Sequence, residues 1–246
     1  LEWAEKKGFD YVAAGHYSRV EHGEIHKLLK GVDDGKDQSY FLYRLNQEQL
    51  AKSLFPVGHL KKSEVRELAK ENNLKTQNRP DSQGICFIGK VNIKEFLKRE
   101  IDPQPGKVYH VDGDEIGTHD GVWFYTIGQR HGFEVNKYYG LPLYVVDKDV
   151  KENKLIVGFA KDALKKEFQV SDLSWISGHS PCDFDGGEVL KCEVRIRHLG
   201  KMHKAKVIGE GSGLQVSMET ESFGIAPGQS AVFYLEDEVL GGGIIN

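Results

Sequence analysis

Between residues 192 and 197 the chain alternates strictly. Cys192, Val194 and Ile196 are apolar, and Glu193, Arg195 and Arg197 are charged. A period of two is the mark of a strand with one buried face, so it predicts the first set inward and both arginines on the outer face. Gly200-Lys201 then turns the chain and Met202–Val207 returns. From about residue 165 onward such short strands recur between turns and close with Ser230–Leu235 and Val239–Ile245. That spacing predicts a small barrel or sandwich.

The front of the chain reads differently. Residues 1–8 look like the tail of a helix ending at Gly8. Tyr11–Ala14 is a short apolar run suited to a buried parallel strand, and it ends at Gly15-His16-Tyr17. Open α/β sheets place ligands at the carboxyl ends of their strands, although an ordinary strand-to-loop turn has the same sequence. Residues 24–30 suggest another short strand. Residues 46–75 read as helical, with Asn46 capping Gln47–Ser53 and with Val65, Leu68 and Ala69 at i, i+3, i+4. A third helix is expected over 93–100 after Asn92, stopped by Asp102-Pro103-Gln104-Pro105-Gly106.

Beyond that stop the pattern turns to β. Asp112-Gly113 and Asp120-Gly121 are turn signals, and Leu143–Asp147 with Lys154–Gly158 suggests a hairpin. The expected organisation is α/β plus β: residues 1–92, then a small mostly-β domain over 93–163, then a C-terminal β-barrel over 164–246.

Composition narrows the class. The chain has 246 residues, 39% hydrophobic and 28% charged, which is ordinary for a globular protein. No apolar run approaches a membrane span, and Leu1–Gly8 does not read as a signal peptide. The sequence does not begin with Met, and its start inside a helix suggests a beginning in mid-domain. Cys86, Cys182 and Cys192 form no C-x-x-C pair, which argues against a disulfide scaffold or structural zinc and for a reducing, cytoplasmic setting. No metal site is expected. Net charge is −4, but residues 1–100 carry +3 and residues 101–246 carry −7. The most basic run is Lys191–Lys206, and a hairpin with that charge can follow a phosphate backbone or simply solubilise an outer face.

Two stretches could carry chemistry. Asp81-Ser82-Gln83-Gly84-Ile85-Cys86-Phe87-Ile88-Gly89 sets one thiol between apolar neighbours with glycines on both sides. Such a cysteine is either a reactive thiol on a pliable loop or a packed small hydrophobe. Lys36-Asp37-Gln38 follows an Asp34-Gly35 turn and precedes Tyr40 and Phe41. Those three residues could hold a phosphate and a base edge, or Asp37 could cap the helix that follows.

The ordered set of segments resembles the tRNA-specific 2-thiouridylases of the MnmA type. The matching segments are Ala14-Gly15-His16-Tyr17, Lys36–Leu42, Leu54-Phe55-Pro56-Val57-Gly58, Asp81–Gly89, Gly117–Gly121, Tyr125–Arg130, Tyr144–Asp147, Pro227–Tyr234 and Gly241–Ile245. The resemblance implies the later part of an ATP-pyrophosphatase-type (adenine nucleotide α-hydrolase-like) α/β domain, a central domain and a C-terminal β-barrel. It implies ATP-dependent 2-thiolation of wobble uridine 34, by adenylation of the base and sulfur transfer from a cysteine persulfide. By the same match Cys86 carries the persulfide, Gly15 belongs to the ATP site, and His16, Lys36, Asp37, Gln38, Arg197, His198 and Gln229 contact tRNA.

Implied partners are ATP with Mg2+, wobble-uridine tRNAs such as those for Lys, Glu and Gln, and a sulfur-relay protein or cysteine desulfurase. No membrane partner is implied. The family often has Tyr at the position of His198. The family's Ser-Gly-Gly-x-Asp-Ser phosphate loop and its second cysteine are not found in these 246 residues. The expectation is therefore an N-terminally truncated enzyme, inactive by itself. The readings from other classes are a non-catalytic tRNA-binding module and a thiol sulfur carrier.

Overall fold

The computed structural model describes residues 1–78, 92–136 and 139–246. The Asp81–Gly89 segment, and with it the reading of Cys86, lies outside the described residues.

In chain order the elements are α1 (Glu2–Lys6), β1 (Val12–Ala13), β2 (Ser18–Glu21), β3 (Lys27–Lys30), a 3-10 turn at Ser39–Leu42, α2 (Gln47–Ala51), β4 (Ser53–Leu54), α3 (Lys62–Glu71) and α4 (Ile93–Leu97). Then follow β5 (Gly106–His110), β6 (Glu115–His119), β7 (Glu134–Val135), β8 (Tyr144–Asp149) and β9 (Lys154–Gly158). The chain closes with β10 (Leu164–Trp175), β11 (Leu190–Arg195), β12 (His203–Glu210), β13 (Gly213–Phe223), β14 (Ser230–Leu235) and β15 (Glu238–Ile245). No helix among the described residues is long and apolar enough to cross a membrane.

The chain divides into two compact units. One holds residues 1–78, 166–220 and 227–246, and the other holds 79–165 and 221–226. In the first, β10, β13, β12, β11, β14 and β15 pair in that order, and β10 pairs back to β15 to close a six-stranded barrel. The hairpin of β2 and β3 adds to the outside of this barrel, which the sequence pattern did not indicate. β15 makes this possible by dividing one edge. Glu238 and Val239 pair with Leu29 and Leu28 of β3, while Gly241 to Ile245 pair with β10.

The N-terminal segment covers the barrel's outer face. On β14, Phe233 lies opposite Val194 while Val232 lies opposite Arg195, so the two sets point to opposite faces. Both sets are buried: Val232, Phe233 and Tyr234 are each 0% exposed. The outward pair joins Leu28, Tyr40, Tyr43, Leu50 and Val239 in one apolar core. A strand buried on both faces reads as a continuous apolar run, as Ala231-Val232-Phe233-Tyr234 does. Close approach also needs glycine. A Cβ on Gly242 would lie 2.9 Å from the Tyr43 ring, and one on Gly58 would fall inside the Ser18 carbonyl.

Local signals set the element ends. Asn46 accepts from Gln49 N while Gln49 bonds back to Asn46 N, closing a capping box on α2. Asn92 caps α4 in the expected place. The stretch expected to be helical from 46 to 75 is interrupted by β4, which pairs in parallel with β1. Pro56 comes two residues after β4 and cannot continue a ladder. The run Tyr11–Ala14 does form a parallel strand, but Tyr11 and Val12 are exposed among the described residues, so its expected burial is not found.

In the second unit, β7, β6, β5, β9 and β8 form a sheet with β5 and β9 parallel. Val108, Ile116, Val145, Leu155 and Val157 fill its core. The architecture is thus an α/β start, a mostly-β centre and a C-terminal barrel.

Candidate functional site

The centre of the site is a buried ion pair. Arg195 Nη1 lies 2.6 Å from Asp37 Oδ2, and Asp37 is 0% exposed. Period two placed Arg195 on the outer face, and that face is where it points. It is nevertheless buried, because the N-terminal segment seals the face; only Arg197, two residues on, remains in solvent. The guanidinium also lies over the Tyr234 ring at 5.3 Å and donates from Nε to Met202 Sδ. Burial pushes the Tyr234 hydroxyl up to about 12, so it stays a neutral neighbour of the pair.

Asp37 is fully engaged. Its Oδ1 accepts from Gly31 N and Ser39 N, and its Oδ2 accepts from Ser39 Oγ as well as from Arg195. Asp37 is not the cap the sequence suggested: the N-cap of the 3-10 turn is Gln38, with no side-chain cap bond, and of the turn's own amides Asp37 accepts only that of Ser39 at its start. The carboxylate of Asp37 therefore has no oxygen at the surface. Gln38 turns the other way: it donates from its amide to Tyr17 O and accepts from Tyr17 N through Oε1. This pair of bonds ties the Gly15-His16-Tyr17 loop to the Lys36-Asp37-Gln38 loop. Lys36 N is held by Asp33 O in the turn before it.

The 3-10 turn carries the connection to the barrel's end. Tyr40 and Tyr43 stand three residues apart on one face, as that helix type requires, and both are buried. Tyr40 donates to Ser230 O and Ser230 Oγ donates to Tyr43 OH, next to Gln229. Phe41 falls on the other side and is 56% exposed. His198 packs its ring 4.4 Å from that of Phe41. Burial and the nearby Arg195 hold His198 below the ordinary imidazole range, with Asp37 opposing, so His198 is uncharged at neutral pH.

Hydrogen bonds, an ion pair and chain adjacency bring six of the sequence-derived candidates into one region. His16 is next to Tyr17, which bonds Gln38, and Asp37 pairs with Arg195. Arg197 and His198 follow two and three residues on, and Gln229 is next to Ser230, which Tyr40 bonds. His16 Nδ1, His198 Nδ1 and Gln229 Oε1 are each buried without a hydrogen-bond partner among the described residues. Buried polar atoms are rarely left so, and three of them occur at three candidate positions. Gly15 sits apart from the chain of bonds, exposed just beyond the carboxyl end of β1 and with open space around its Cα. Sequence reasoning missed Arg195, Tyr234 and Phe41 as parts of this site. No local signal marks Arg195, because its partner is 158 residues away.

The two described thiols are poorly placed for sulfur chemistry. Cys192 is buried and pushed up to about 12, and Cys182 is also raised, by burial and by nearby Glu188 and Asp183. No cluster of three or more His, Cys, Asp or Glu side chains suited to a metal occurs among the described residues.

Comparison with known proteins agrees along the whole chain. A model described as a tRNA methyl transferase HUP domain matches residues 1–90. One described as a tRNA methyl transferase PRC-barrel domain matches 94–159, and one described as an aminomethyltransferase β-barrel domain matches 165–245. A protein named tRNA-specific 2-thiouridylase MnmA from Francisella tularensis subsp. novicida (strain U112) is 41% identical over 255 residues, covering 100% of this chain and 69% of the relative. Proteins of the same name from subsp. tularensis (strain WY96-3418) and subsp. holarctica (strain LVS) are 40% identical over the same shares. The domain descriptions speak of methyl transfer, whereas these relatives match over the whole of this chain and are named for thiolation. On that match, which spans this whole chain and 69% of the relative, the chain belongs to the MnmA family of tRNA-specific 2-thiouridylases.

Proposed function

We propose that this chain presents a tRNA-binding surface and the sulfur-bearing cysteine of an ATP-dependent wobble-uridine 2-thiolation enzyme. The observation that carries the reading is the bonded surface around Asp37 and Arg195, with its unpartnered His16, His198 and Gln229 atoms. Backbone and side chains there are fixed by hydrogen bonds, and three polar atoms at candidate positions lack a partner among the described residues. Arg197 supplies an exposed cation at the same turn for the phosphate backbone. Gly15, at the end of a parallel strand with nothing crowding it, suits close approach of a nucleotide.

In this reading ATP is a substrate. The uracil O2 takes the adenylyl group and pyrophosphate leaves. A persulfide on Cys86 then delivers its terminal sulfur to C2, AMP departs, and a second thiol takes up the Cys86 sulfur as a disulfide. Cys192 is unsuited to that second role, being buried and protonated. Asp37 acts from within, as the buried support that fixes Gln38 and the Arg197–His198 turn.

The test uses the full-length protein with tRNA, ATP and a sulfur donor, with 2-thiouridine measured by mass spectrometry. Cys86→Ser is expected to abolish product and to leave tRNA affinity within about twofold. Full activity in that variant would remove Cys86 from the mechanism. Loss of tRNA binding in it would instead make the cysteine segment part of the binding surface.

A further inference from the structure

We infer that Phe41, backed by His198, is a stacking platform for an unpaired base of the RNA, an assignment that rests on the tRNA reading above. Phe41 is a large apolar ring left 56% exposed beside a heavily hydrogen-bonded region. Its neighbours are not exposed: Tyr40 and Tyr43 on the same 3-10 turn are 8% and 5% exposed and bonded to Ser230. The turn could not bury Phe41 as well, because its three-residue repeat sends positions 40 and 43 to one side and position 41 to the other.

One side of the Phe41 ring is supported and the rest is open. His198 packs against it at 4.4 Å with the planes 38° apart, and Tyr40 meets it edge-on at 5.6 Å. Both supports are anchored, Tyr40 by its bond to Ser230 O and His198 by the turn that follows Arg195. That turn is itself strained. Gly200 N bonds Arg197 O, and Leu199 adopts φ +53°, a left-handed conformation that is unfavourable for a leucine. Leu199 is 48% exposed, so the strained turn presents a second apolar side chain close in sequence to the first platform member. Non-glycine residues in this conformation concentrate at binding sites.

Charge and chemistry choose the occupant. Arg197 and Lys201 flank the turn and are exposed, which suits a polyanion rather than an apolar peptide. A splayed base offers a π face for the exposed Phe41 ring, and its phosphate suits the exposed Arg197. A duplex keeps its bases stacked inside and cannot use such a ring. The platform therefore selects a loop nucleotide, and through it the loop-bearing form of the substrate.

The experiment measures binding of the full-length protein to an anticodon stem–loop RNA and to a duplex of the same length, with 2-aminopurine placed at successive loop positions. Phe41→Ala is expected to weaken stem–loop binding about tenfold, to leave duplex binding unchanged, and to abolish 2-aminopurine quenching at one position. Its salt dependence should match the parent protein, since no ionic contact is lost, whereas Arg197→Ala should flatten it. Phe41→Tyr should restore both affinity and quenching. Thermal melting of each variant separates a binding effect from unfolding. If the parent protein binds no RNA, the tRNA reading itself fails. If it binds and Phe41→Ala binds equally well with quenching intact, the platform assignment is overturned while the tRNA reading stands. Equal weakening toward loop and duplex would overturn it too.

Discussion

One buried polar group in each compact unit shows a different way of being accommodated. In the unit containing the barrel, Asp37 and Arg195 are buried as charges and neutralise each other at 2.6 Å. In the unit built on the five-stranded sheet, His119 is 3% exposed and is buried uncharged. Its Nδ1 accepts from Gly121 N, its Nε2 lies 3.1 Å from Asn153 O, and burial lowers its tendency to take a proton. The difference follows from the partners available. A carboxylate within reach makes a buried cation tolerable, whereas backbone groups alone favour a neutral ring. Replacing a buried pair by apolar groups is often neutral for stability, so the Asp37–Arg195 pair is better explained as a positioning device than as a source of stability.

The largest break in that contrast is expected from Asp37→Ala, which leaves Arg195 buried without its counter-charge. Chemical denaturation should show a loss of about 3–5 kcal/mol. The double change Asp37→Leu with Arg195→Met should recover much of it. A single-variant loss below about 1 kcal/mol would mean that the pair is solvated after all.

The neutral histidine predicts a dependence on acid. His119 has a lowered folded value, so its contribution is complete above the unfolded value of about 6.5 and is lost as pH falls toward the folded one. Over that window His119→Gln should reduce the slope of unfolding free energy against pH by up to about 1.4 kcal/mol per pH unit. An unchanged slope would show that His119 takes its proton as readily folded as unfolded.

Smaller effects sharpen the comparison within the barrel unit. Asn46→Ala removes one cap and should cost about 1 kcal/mol. Arg197→Ala should move stability by less than about 0.5 kcal/mol, against the large cost of touching Arg195 two positions earlier. It should instead weaken tRNA binding and reduce the salt slope by about one ion. Equal stability losses at the two arginines would remove the distinction between a buried support and a surface contact.

Much of this was legible in the sequence. Alternation placed Cys192, Val194 and Ile196 inward, and all three are buried. The caps at Asn46 and Asn92 opened their helices as residue chemistry requires. The ordered segments from Ala14 to Ile245 identified the family, which the match to the relatives over this whole chain then showed. These features are local, or depend only on order along the chain, so composition and spacing carry them.

The tertiary structure alone decided what lies against what. Period two can say that Arg195 and Arg197 share a face, but not that the face is covered at one and open at the other. It could not reveal that β3 joins β15 at Glu238 and Val239 while β10 pairs with the same strand from Gly241 onward. It could not foresee that Asp37, read as a surface contact or a cap, would have every oxygen occupied inside. Strand period and capping act over a few residues and are written in them. Burial and ion pairing join positions more than a hundred residues apart, and only the folded chain brings those together.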